Sequence, residues 1–207
     1  MSEFDQKARD WDKNRMHLER TEAVAKLLQE IIPLRPDMRA MEFGAGTGLL
    51  SFSLKEHFKE ITLMDSSREM LNMAGQKMEP SDRSKFKTLF LNLEKEEYTG
   101  EPFDIIYTQM VLHHILDTRA ILNKFYNMLA AGGVLAIADL YTEDGSFHDG
   151  APDVHHGFDP GTLKEIFLQQ GFGDWEILPC YVMKKELPGG TLKEYPVFLL
   201  TAVKISD

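Results

Sequence analysis

One cysteine, Cys180, is present in 207 residues. A lone thiol cannot close an internal disulfide, so the expected setting is a reducing, cytoplasmic one. Long apolar runs are missing too, and none approaches the roughly 20 residues that a membrane crossing requires. The opening residues, Met1-Ser2-Glu3-Phe4-Asp5-Gln6-Lys7, lack the basic-then-apolar order of a secretory leader. Positive charge is in deficit, with 23 Lys and Arg against 33 Asp and Glu and a net charge of −10. That balance argues against broad, sequence-blind binding to nucleic acid, which depends on neutralising phosphates. A small molecule is the expected partner. There is no internal repeat and no low-complexity tract, and nothing in the composition sets an oligomeric state. The 43% hydrophobic and 27% charged residues are those of one globular domain large enough for a real core.

Apolar periodicity changes along the chain in a regular way. An N-terminal helix carries Val24, Leu27, Leu28, Ile31 and Ile32 on one face and is stopped by Pro33 and Pro36. Strand-like runs then fall at 39–43, 60–65, 85–91, 103–108 and 133–139. Helical runs fill 49–58, 67–78 and 118–129, the last stopping before Gly132-Gly133 as a left-handed helix end. Asp159-Pro160 starts another helix, with Asp as cap and Pro in the first turn, which closes at Gly171. Two long strands, 175–185 and 194–204, are joined by Leu187-Pro188-Gly189-Gly190, a hairpin connector. The alternation predicts an α/β fold: a doubly wound, mostly parallel sheet ending in an antiparallel hairpin.

The first of these strands ends in the stretch with most chemical content, Met41-Glu42-Phe43-Gly44-Ala45-Gly46-Thr47-Gly48. A strand, a glycine turn and a helix in this order present free backbone N–H groups and a bare main-chain surface to a ligand. Asp65 closes the next strand, about 20 residues on, where an acid accepts the hydroxyls of a ribose. A nucleoside-bearing cofactor is implied. Dinucleotide sites use Gly-x-Gly-x-x-Gly and face a pyrophosphate. Here the spacing is Gly-x-Gly-x-Gly, and Glu42 at the mouth would repel a pyrophosphate but suits an ammonium and a sulfonium.

This stretch resembles motif I of the class I S-adenosylmethionine (SAM) dependent methyltransferases of the small-molecule type. The resemblance implies that Gly44, Ala45, Gly46 and Gly48 surround the methionine part of SAM and that Glu42 holds its ammonium through water. It gives the ribose hydroxyls to Asp65, with Ser66 beside it. A terminal hairpin whose last strand enters the sheet antiparallel is implied as well, making seven strands in a Rossmann-like methyltransferase fold. Relatives often have an aspartate near Asn92 against the adenine amino group; Asn92 can accept that bond through its side-chain oxygen, with help from the backbone of Leu93. Asn92 can equally be a residue that caps a turn.

Phe103-Asp104-Ile105-Ile106-Tyr107-Thr108-Gln109-Met110-Val111-Leu112-His113-His114-Ile115 resembles the fourth strand and following turn of the same family. Thr108 and Gln109 are thereby assigned to the cofactor's methionine end. The Asn/Asp-Pro-Pro-aromatic tetrad of base-amino methyltransferases is absent, which disfavours methylation of nucleic-acid bases. His113 and His114 are candidate general bases, since imidazole titrates near neutrality, or they cap and pack the start of a helix. Phe4 and Trp11 resemble the segment that folds over the cofactor, or are aromatic anchors of an ordinary amphipathic helix. The polar, histidine-rich loop 141–158 after the fifth strand is long enough to be a substrate-shaping lid. His156, a candidate catalytic residue, and His155 are the first choices in it for contact with substrate. No metal is expected, because the fourth strand ends in Thr108-Gln109 without a carboxylate.

The chain accordingly divides into a helical cover (1–37), a cofactor-binding half (38–140) and a closing segment of lid loop, helix and hairpin (141–207). The activity that follows is direct, in-line methyl transfer to a small molecule, leaving S-adenosylhomocysteine (SAH). A SAM-binding regulator without catalysis is the alternative. A nicotinamide oxidoreductase ranks far behind on its glycine spacing.

Overall fold

Near-continuous apolar strands need cover on both faces, and this chain supplies it. The computed structural model describes residues 3–205; positions 1, 2, 206 and 207 of the expected first and last segments lie outside them. Seven strands form one sheet: β1 (Arg39–Phe43), β2 (Glu60–Asp65), β3 (Phe86–Phe90), β4 (Phe103–Gln109), β5 (Leu129–Leu140), β6 (Phe172–Glu186) and β7 (Leu192–Lys204). Their order is β3-β2-β1-β4-β5-β7-β6. β1 to β5 run parallel, and β7 is antiparallel to both β5 and β6.

The helices are α1 (Glu3–Lys7), α2 (Arg15–Ile31), α3 (Leu49–Leu54), α4 (Arg68–Lys77), α5 (Thr118–Met128) and α6 (Pro160–Gln169). Strand alternation sorts β1 between two apolar layers. Ala40 joins Val24 and Leu28 of α2, Leu50 and Leu54 of α3 and Ala74 of α4 on one face. Met41 and Phe43 join Ile121 and Phe125 of α5 and Leu163 and Phe167 of α6 on the other. Side chains start four of the helices: Asn14, Ser67, Asp117 and Asp159 each accept a backbone N–H from the first turn.

Two expectations are corrected. α5 ends at Met128, within one residue of the expected run, but Gly132-Gly133 is not its left-handed end: β5, expected over 133–139, already begins at Leu129, whose backbone is extended. Gly132 takes its left-handed φ of +72° inside the β5 segment, where Phe103 pairs with Leu129 before the register shifts. The helical run 49–58 gives α3 followed by a short 3-10 turn, Lys55–His57.

Candidate functional site

From β1 the chain steps to β2 and β3 on one side, and β4 opens the other. Such a switch point leaves a crevice beyond the carboxyl ends of the strands, and here it is a cavity of about 710 Å³. Gly44, Ala45 and Gly46 border it. Gly44 has φ +64°, and a Cβ there would stand 2.5 Å from a Val111 methyl, so only glycine fits. Gly48 does not border the cavity. It caps α3 in the left-handed conformation (φ +79°) and lies against Phe52 and Leu63, so its role is the turn itself.

Asp65 and Ser66 border the cavity beside this turn. The carboxylate of Asp65 accepts the Gly46 N–H at one oxygen and the Ser67 N–H at the other, both at 2.7 Å, with the Ser66 N–H as a further donor. Burial raises this carboxyl above the ordinary aspartate range, against the pull of those donors. Glu42 is more deeply held. One of its oxygens accepts both the backbone N–H and the hydroxyl of Ser51, whose oxygen in turn accepts from the Tyr107 hydroxyl at 2.7 Å. Burial outweighs these donors and pushes the Glu42 pKa up to about 8. Asn92 and Leu93 line the far end. The Asn92 side-chain oxygen accepts the Glu94 N–H at 3.1 Å, an Asx turn that leaves it one lone pair.

Gln109 reaches the cavity, but Thr108 does not. Alternation along β4 sends Thr108 to the opposite face from Tyr107 and Gln109, and its hydroxyl is spent on the Phe43 carbonyl at 2.8 Å.

The other end of the cavity is built around His113 and Asp139, both fully buried. His113 Nδ1 lies 2.6 Å from Asp139 Oδ1, and its backbone N–H donates to Oδ2 at 3.2 Å. A carboxylate only accepts, so Nδ1 carries the proton and Nε2 is left as the basic nitrogen. His114 also borders the cavity, edge-on to Phe4 with ring centres 5.4 Å apart. His148, from a 3-10 turn in the 141–158 loop, completes the group. Burial drives its pKa down to about 4, so its ring is neutral near pH 7. The three imidazoles bring ligand atoms within 4.8 Å of one another, a donor set able to take a divalent transition metal.

His156 is a correction. It does not border the cavity; its ring packs on Gly145, where a Cβ would lie 2.7 Å away, and its carbonyl accepts the Glu143 N–H. His155 likewise turns inward, donating its backbone N–H to the His113 carbonyl (2.7 Å) with its ring on the Ile115 carbonyl (2.9 Å). It shores up His113 from behind.

Three contributors went unpicked: His148, Asp139 and Arg20. His148 stood in the loop among other histidines with no spacing to single it out. Asp139 had the signal of an acid at the carboxyl end of a strand. Arg20 had a clearer one, because it falls at i, i+4, i+8 with Val24 and Leu28 on the buried stripe of α2.

The N-terminal segment closes the top of the cavity with Phe4 and Trp11. It is tied to the cofactor half by Ser67 donating to Asp5 and by Thr47 and Lys77 donating to Asp12 (2.5 and 2.6 Å). The 141–158 loop is tied to the hairpin by Lys185 on Asp149 (2.7 Å) and Lys193 on the Ser146 hydroxyl (2.7 Å). No helix among the described residues is long and apolar enough to cross a membrane.

Residues 41–135 match a family model described as a methyltransferase domain. An uncharacterised methyltransferase of Schizosaccharomyces pombe is 29% identical over 157 residues, 68% of this chain and 55% of its own length. A trans-aconitate 2-methyltransferase of Deinococcus radiodurans is 32% identical over 128 residues, 61% of this chain and 47% of its own. The chain thus spans about half the length of these curated relatives. Among solved structures, the N-methyltransferase NodS of Bradyrhizobium japonicum in complex with SAH superimposes with a TM-score of 0.68 at 20% identity, over 94% of this chain and 90% of that one. With this sheet order and this glycine turn, the chain has the Rossmann-like fold of that solved structure, and its residues 41–135 are similar to a methyltransferase domain.

Proposed function

We propose that this protein transfers the methyl group of SAM to a small-molecule acceptor, leaving SAH. The observation that carries the reading is one cavity joining the Asp65 end to the buried His113–Asp139 pair. The residues fit the cofactor: a glycine-lined turn that tolerates no side chain at Gly44, a carboxylate at Asp65, and a second, buried one at Glu42. Asp65 would hold the ribose, Glu42 the ammonium, and Asn92 with Leu93 the adenine. Bound there, SAM supplies a methyl group on a cationic sulfur, activated for direct displacement.

The chain itself orients the acceptor, excludes water and moves a proton. Phe4 and Trp11 exclude water from above. His113 takes the acceptor's proton at Nε2 while Asp139 fixes the ring and stabilises the imidazolium. Residues 1–37 serve as cover, 38–140 as cofactor half, and 141–207 close the acceptor end. The half-buried Cys180, its thiol pushed up to about 11 by burial, suits a reducing cytoplasm.

Calorimetry with SAH and transfer of labelled methyl to fractionated metabolites test the reading together. Asp65→Ala is expected to weaken SAH binding on the order of 100-fold or more, since two charge-assisted bonds are lost. His113→Ala is expected to keep SAH affinity and lose roughly 10²–10⁴ in transfer rate. If the wild type binds neither SAM nor SAH, the reading fails; binding without transfer to any fraction selects the regulatory alternative. Chelation by EDTA should leave transfer unchanged, and added zinc should slow it by occupying Nε2 of His113. Activation by zinc would instead make the three imidazoles a metal centre.

A further inference from the structure

We propose that the methyl acceptor enters the cavity as a small carboxylate whose charged group is held by Arg20. The inference rests on the methyl-transfer reading and adds the substrate class. Arg20 lies on the inward stripe of α2, 4% exposed, in line with Val24 and Leu28, and it borders the cavity wall. A guanidinium has five N–H donors and no acceptor. Here Nη1 finds only the thioether of Met183, at 3.5 Å, and Nε is buried with no acceptor among the described residues. Burial lowers its pKa only to about 10, so it is a cation at neutral pH.

Asp139 acts on Arg20 through space, but no hydrogen bond joins them; its oxygens face His113 Nδ1 (2.6 Å), the His113 N–H (3.2 Å) and the Leu140 N–H (2.7 Å). A buried cation without hydrogen-bond acceptors is costly to a fold unless a ligand supplies them. The same wall holds two further orphans. Gln109 Oε1 and His148 Nε2 are buried without partners, while Gln109 Nε2 donates to Thr21 beside Arg20 (2.9 Å). One cation, one amide acceptor and one imidazole nitrogen describe a molecule that carries an anion and a hydroxyl or amine close together.

The shape of the cation favours a carboxylate: a planar carboxylate meets the guanidinium fork through two parallel N–H donors, and here Nε is one of the donors left without an acceptor. Neutral analogues are rejected because they leave Arg20 unpaired.

Benzoate, benzamide and phenyl phosphate serve as probes, titrated by calorimetry into the wild type with and without SAH. Benzoate should bind saturably, at least tenfold more tightly than benzamide and more tightly than phenyl phosphate. Arg20→Gln should remove the preference for benzoate over benzamide with SAH affinity unchanged, which shows that the variant is folded. If that variant does not fold, Arg20→Lys should weaken benzoate severalfold and keep the preference for the anion. Equal affinity for benzoate and benzamide in the wild type, no benzoate binding, an unaltered preference in Arg20→Gln, or undiminished benzoate affinity in Arg20→Lys overturns the proposal. Tighter binding of phenyl phosphate overturns the carboxylate in favour of a phosphate ester. Loss of SAH binding in the wild type counts against methyl transfer alone, because the anion preference is read separately.

Discussion

Glu42 stands at the mouth of the glycine turn with its carboxyl buried and its pKa near 8, well above the ordinary value of 4.5. The folded protein therefore keeps a proton that the unfolded chain releases between these two values. Stability should fall as pH rises from about 4.5 to about 8, because the unfolded state binds fewer protons through that window. Glu42→Gln should flatten this part of the pH–melting curve. The same proton competes with a ligand ammonium. SAH should bind more tightly as pH rises towards 8, by at most about tenfold per pH unit, and the slope should vanish in the glutamine variant. Calorimetry at three pH values reads both. Glu42 and Asp65 were legible in the sequence because each falls at the carboxyl end of its strand, one just before the glycine turn and one a strand later. Arg20 was visible as a misplaced charge on an apolar stripe, but its meaning depends on Met183 and Asp139, far along the chain.

The covering segment is an element whose strength can be tested by itself. Asp12 holds it down through Thr47 and Lys77, with the Lys77 pair about one-third exposed. Pairs of this exposure contribute up to about 1 kcal/mol. Asp12→Ala should speed SAH release by roughly twofold to fivefold without moving the melting temperature measurably. Stopped-flow fluorescence of Trp11, with Trp175 replaced by Phe, follows it. Elements differed in how far they could be read. β1 and β2 were legible to the residue, since each is a short apolar run closed by a turn. The start of β5 was not, because Gly132 looked like a helix end and instead lies inside β5, where the register shifts against β4. The loop after β5 was legible as a long polar stretch following the carboxyl end of that strand. Which of its histidines faces the cavity was decided by Lys185, Lys193 and Tyr195 of the hairpin, which anchor the turn carrying His148.

At the scale of the molecule, β7 is the piece on which the acceptor end hangs. It is inserted between β5 and β6 and pairs with both, from Val134–Val203 to Leu140–Val197 on the β5 side. Truncation after Glu186 should leave β5 with an open edge and β6 unpaired, so the product is expected to lack a cooperative thermal transition and to bind a hydrophobic dye. A cooperative melt in the truncated protein would show that the hairpin is dispensable. The sequence by itself determined what short-range chemistry can encode: the glycine turn that admits no side chain, the acid one strand later, the helix caps, and the alternation that demands a covered parallel sheet. Only the tertiary structure decided which side chains meet. Strand order and the docking of α2 bring Arg20, His113 and His148 to one cavity from three separate segments, with Asp139 of β5 behind His113. That meeting is set by packing between elements, which no local pattern specifies.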